Sequence, residues 1–126
     1  MSTTSVTTKT QLFLPGQAAA PEGPVDMKMM YLMHHAFRRD LNLFAAAVAA
    51  TPVDDVQTWR LLGQRWDVFF EILHKHHTGE DAGIWPWLLE PADAQETATL
   101  EEMEEEHGHI DPLLSGCAAG FATLTG

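Results

Sequence analysis

The sequence holds a single cysteine, Cys117, so no internal disulfide can form. Cations are scarce: seven Lys and Arg stand against eighteen Asp and Glu, a formal net charge of −11 over 126 residues. No basic stripe appears anywhere, which makes nucleic acid and anionic membrane surfaces poor partners. Long apolar runs are missing too. The most weakly polar stretch, Leu41 to Ala50, contains Asn42 and falls far short of the ~20 residues a spanning helix needs. No basic region followed by an apolar stretch opens the chain, so no secretory signal is expected and a reducing cytoplasm fits best. Internal repeats, a phosphate-binding glycine loop and a nucleophile triad are likewise absent.

The whole sequence is 45% hydrophobic and 20% charged, the balance of a globular domain with one core. Residues 1–24 are rich in Ser, Thr, Ala, Gly and Pro without a period and read as a flexible leader, leaving 25–126 as the folded domain. Pro24 and Asp26 supply a start signal for a first helix reaching about Ala50. Along it Met27, Met30, His34, Phe37, Leu41, Phe44 and Val48 recur at steps of three and four, one helical face. Its methionines, Met27, Met29, Met30 and Met33, read as flexible core filling. Thr51 to Asp55 break the pattern and cap a second helix with the stripe Trp59, Leu62, Trp66, Phe69, Leu73, His76 and Glu80.

Pro86 should end or kink that helix near Ile84 or Trp85. Gly79 and Gly83 each cost a helix roughly 1 kcal/mol relative to Ala, so a compensating contact or a close backbone approach is expected there. A third helix is expected from about Asp93, with Leu100, Met103, His107, Ile110 or Asp111, and Leu114 inward. Ser115-Gly116 then open a small-residue tail in which Cys117 reads as buried.

Each stripe is interrupted by a metal-ligand type where a core residue would ordinarily sit: His34, the pair His76 and Glu80, and His107 with Asp111 beside it. Buried imidazoles and carboxylates need hydrogen bonds, ion pairs or a metal, since an unpartnered one costs several kcal/mol. Residues four apart share a helix face, so His76 with Glu80 can reach one cation, and so can His107 with Asp111. His77 with Asp81 is the competing register; His76 and Glu80 are preferred because they continue the Leu73 stripe. His74 and His109 point away from the proposed ligands. Imidazole mixed with carboxylate, without cysteine, suits iron or manganese better than structural zinc.

The segments HHAFRRDL from His34, HHTGED from His76 leading to Ile84-Trp85-Pro86, and EHGHI from Glu106 together resemble the bacterial hemerythrin-like HHE cation-binding domain over roughly residues 26 to 120. The resemblance implies an all-α, up-and-down helical bundle with a non-haem di-iron centre, manganese or zinc being the other metals. It makes His34 the first-helix ligand, Glu80 the bridge beside His76, and His107 the third-helix ligand. Two departures stand out: Met103 occupies the place of a further family histidine, and no fourth helix is expected before Gly126. Asp111 or Glu104 could replace the missing nitrogen, and the fourth helix is expected to be absent or supplied by another chain.

The function so implied is binding or sensing of dioxygen, nitric oxide or iron. A di-iron oxidoreductase consuming peroxide or oxygen is the rival, and a metal-free helical assembly element the third reading. Three helices leave one side of the core open, and the aromatic load of Trp59, Trp66, Phe69 and Phe70 is too large to leave wet. A homodimer is therefore expected, its second chain covering that face.

Overall fold

The computed structural model describes Pro24 and residues 26–126. The leader expected over residues 1–24 lies, Pro24 apart, outside the described residues. These are helical almost throughout, with no strand among them: α1 Lys28–Ala50, α2 Val56–Gly79, a π turn Glu80–Ile84, α3 Trp85–Leu89 and α4 Ala94–Thr125. The long helices are three, α1, α2 and α4, the all-α class that the sequence periodicity indicates. Two compact units divide the chain, one ending at Ala46 and the other running from Ala47 to Gly126.

In the first unit α1 starts where Asp26 Oδ1 accepts the Lys28 amide at 3.0 Å, satisfying one of the donors that a helix start leaves open. Phe44 is buried. The rest of the expected stripe is less so, with Met27, Leu41 and Val48 all exposed. Met29 is 69% exposed and does not fill a core. Arg39 pairs at the surface with its neighbour Asp40 at 3.0 Å.

In the second unit Asp55 caps α2, accepting from the Thr58 amide at 3.2 Å and the Thr58 hydroxyl at 2.7 Å. Those two bonds, the hydroxyl's first, hold the Asp55 carboxyl below the usual carboxylate range. The stripe read from the sequence is the one buried: Trp59, Trp66, Phe69 and Leu73. At the far end Asp93 caps α4 by a reciprocal pair, its Oδ1 accepting from the Glu96 amide at 2.8 Å while Glu96 Oε2 accepts from the Asp93 amide at 3.0 Å.

The helices α2 and α4 run antiparallel. The Trp59 ring lies 6.2 Å from Phe121, the Trp66 indole N–H donates to the Leu114 carbonyl at 3.1 Å, and the Trp85 indole N–H donates to the Leu100 carbonyl at 2.8 Å. Pairs that descend on one helix as they ascend on the other fix that direction.

Two expectations about chain breaks are corrected. The third long helix does not stop near Ser115; α4 continues through Pro112 and Gly116 to Thr125, and among the described residues only Gly126 has a positive φ, +89°. Proline removes a helix donor and crowds the carbonyl four residues back. Here that carbonyl belongs to Gly108, and Gly108 and Pro112 are both exposed, so solvent can satisfy it. The supposed tail thereby delivers Phe121, which is buried against Trp59 and Trp66. Trp59, Trp66 and Phe69 of α2 are thus buried within this chain. Cys117 is exposed rather than buried, and so is Met103, which does not face inward.

The second correction concerns Pro86. Helical backbone is continuous from Val56 to Leu89, and the adjustment falls upstream, as the π turn at Glu80–Ile84. Pro86 sits in the first turn of α3, where a missing amide N–H costs least. Beyond the adjoining helical backbone, nothing among the described residues lies within 4 Å of where a Cβ would stand on Gly79 or Gly83, so close approach does not account for either glycine.

Candidate metal centre

The π turn is where the chain departs from regular helix, and it carries the chemistry. Proline at position 86 cannot continue an α-helix without a clash one turn back, and a widened turn relieves it. The Trp85 amide donates five residues back to the Glu80 carbonyl, while the Glu80 amide is shared between the carbonyls of His76 and His77. Trp85 turns inward and is buried, anchored by its indole bond to Leu100.

Glu80 is the one buried charged side chain among the described residues. Its carboxylate lies between two imidazoles: Oε1 is 2.6 Å from His76 Nε2, one turn earlier on α2, and Oε2 is 3.4 Å from His107 Nε2 on α4. The side chains of His76 and Glu80 are each 8% exposed and that of His107 15%, so this cluster is screened from solvent. The opposite nitrogen of His107, Nδ1, is 3.1 Å from Asp81 Oδ1. His77 stacks on the His107 ring with centroids 4.2 Å apart and planes 18° from parallel, and Trp85 meets the same ring at 5.4 Å and 55°.

Of the residues singled out from the sequence, His76, Glu80 and His107 come together here. Asp111 turns toward His74, with Oδ2 3.5 Å from His74 Nδ1, while its Oδ1 is buried without a hydrogen-bond partner among the described residues. His34 lies on α1 in the other unit, exposed, its ring tilted against Phe37 at 6.4 Å. Sequence reasoning missed the parts played by Asp81 and His77. The signal was present as two interleaved pairs four apart, and the structure uses both: His76 with Glu80 directly, His77 and Asp81 around His107.

The donor chemistry fits a cation of the iron or manganese kind. Two imidazole nitrogens converge on the two oxygens of one buried carboxylate, donor types that carboxylate-bridged metal sites in helical bundles use. Oxygen ligands with nitrogen, no thiolate, and a buried His77 Nδ1 lacking a hydrogen-bond partner among the described residues add to that match.

Burial depresses the His77 pKa below its ordinary value of 6.5, helped by the neighbouring His107 and His76 and opposed by the carboxylates of Glu80 and Asp111. In metal-free protein His77 is therefore expected to remain neutral at pH 7. Below 6.5 the unfolded chain takes up this proton more readily than the folded one, so stability present above 6.5 is lost as pH falls through the depressed value. Imidazole ¹⁵N shifts of His77 followed against pH check this; a midpoint at or above 6.5 contradicts it.

The profile of one protein family, described as the hemerythrin HHE cation binding domain, matches residues 25–125, nearly all the described chain. Comparison with curated proteins and with solved structures finds no match.

Proposed function

Because the chain belongs to the hemerythrin HHE cation-binding domain family, we propose that it holds a non-haem di-iron centre whose office is to bind or sense a small ligand such as dioxygen or nitric oxide. The observation that carries this reading is the buried Glu80 carboxylate with an imidazole Nε2 on each oxygen. His76 and His107 would supply the nitrogen donors and Glu80 the carboxylate between them. His34 joins them on the strength of the family resemblance, and Asp111 through its buried Oδ1. When bound, an iron pair would supply redox-active chemistry and small-ligand binding.

The chain's own residues prepare that place. The π turn presents Glu80 and Asp81 toward α4, and the helix pitch brings His76 over Glu80. Trp85 and Leu73, both buried, exclude water from the neighbouring core, where polar contacts gain strength. Among the described residues no helix is long and apolar enough to cross a membrane.

Oxidised, iron-loaded protein is expected to show the near-ultraviolet charge-transfer band of a bridged iron pair and to take up nitric oxide stoichiometrically. A spectrum of isolated mononuclear iron contradicts the di-iron reading. Sustained peroxide consumption that disappears with the metal contradicts the binding role and makes the protein an oxidoreductase.

A further inference from the structure

Consecutive side chains on a helix diverge by about 100°, so neighbouring carboxylates seldom address one group. Here they do. Glu80 Oε2 stands 3.4 Å from His107 Nε2, and Asp81 Oδ1 stands 3.1 Å from His107 Nδ1, so the two acids grip opposite nitrogens of a single imidazole. That ring has two other freedoms, its plane and its flip about the Cβ–Cγ bond. The parallel His77 ring at 4.2 Å and the Trp85 ring at 5.4 Å restrain the plane. Neither distinguishes the two flipped orientations, because a stacked ring presents nearly the same surface either way. The carboxylate contacts do, and the shorter of them is Asp81's: flipping the ring would set a carbon against Oδ1 and carry Nε2 away from Glu80.

We propose that Asp81 is the positioning residue for His107: its Oδ1 accepts a hydrogen bond from Nδ1–H, fixing both ring orientation and tautomer, and so leaves the Nε2 lone pair directed at the cation beside Glu80. The inference rests on the cation-binding reading above and adds to it a residue that the sequence placed only in a rival register. A carboxylate on the far nitrogen of a ligating imidazole also raises the basicity of the near one. Asp81 is half-buried, its side chain 35% exposed, which keeps this bond short of full screening. His77 serves the same end by packing, its ring stacked on that of His107.

The test is calorimetric titration of metal-free protein with Co²⁺, in wild type, Asp81→Ala, Asp81→Asn and the surface control Glu71→Ala. The paramagnetically shifted, exchangeable imidazole N–H signals of the loaded proteins are recorded alongside. Asp81→Ala is expected to weaken Co²⁺ binding roughly 10- to 100-fold and to lose the His107 Nδ1–H signal. Asp81→Asn, which keeps an acceptor oxygen but no charge, is expected to fall between it and wild type. Glu71, paired with Lys75 at the surface, should change neither readout. Helical circular dichroism confirms that each variant folds, and the near-isosteric asparagine carries the test should the alanine variant unfold. Wild-type affinity and an intact Nδ1–H signal in a folded Asp81→Ala protein overturn the positioning role alone. Wild type that binds no Co²⁺ overturns the cation reading, and this inference with it.

Discussion

Glu80→Ala is expected to abolish stoichiometric cation binding, a larger loss than the roughly 10- to 100-fold typical of removing an outer partner of a ligand. The carboxylate touches His76 at 2.6 Å and His107 at 3.4 Å, and no other charged side chain among the described residues is buried. Its deletion removes the carboxylate that both Nε2 atoms face and leaves His107 only its Asp81 contact on the opposite nitrogen, and each unsatisfied buried group costs about 1–3 kcal/mol. His76→Ala should behave alike. His74→Ala should bind nearly as wild type, because that ring is half-exposed and faces Asp111 instead. Metal analysis of the three purified variants decides it; equal loss in all three would refute the assignment of the α2 face.

Phe121→Ala is expected to destabilise the fold by roughly 3–5 kcal/mol, the usual cost of emptying a buried Phe site. That is a large part of the ~5–15 kcal/mol separating a typical folded domain from its unfolded chain. Phe121 is 7% exposed and sits 5.8 Å from Trp66 and 6.2 Å from Trp59, so its removal opens a gap against both indoles. Urea unfolding with an unchanged slope would show it as a shifted midpoint. A loss below about 1 kcal/mol would mean that the last turns of α4 do not support the core.

Much of this was legible beforehand, and for reasons that can be named. The α2 stripe was readable because Trp59, Trp66, Phe69 and Leu73 are large, apolar and spaced at three and four, and because Asp55 is a strong cap. The three ligand-type residues now clustered in the second unit, His76, Glu80 and His107, interrupt such stripes and were visible for that reason. The end of α4 was hidden: Pro112 and Gly116 imitate a terminus, and between Cys117 and Thr125 a single large side chain, Phe121, carries the burial. Proline is costly in a helix only when the orphaned carbonyl is also kept from water, and a one-dimensional pattern cannot show that. The π turn was hidden likewise. Pro86 announces a disturbance, but the chain absorbs it upstream, at Glu80–Ile84, by widening rather than breaking. That displacement is what sets Asp81 against His107, a pairing that no spacing rule along one helix predicts.

The central claim is that this fold holds a pair of irons, and the most direct measurement is the metal content of the purified 126-residue protein after expression with iron. The account predicts about two irons per chain, as carboxylate-bridged centres in helical bundles hold. Fewer than about 0.2 iron, manganese or zinc per chain would contradict it, since a formed site couples metal binding to folding.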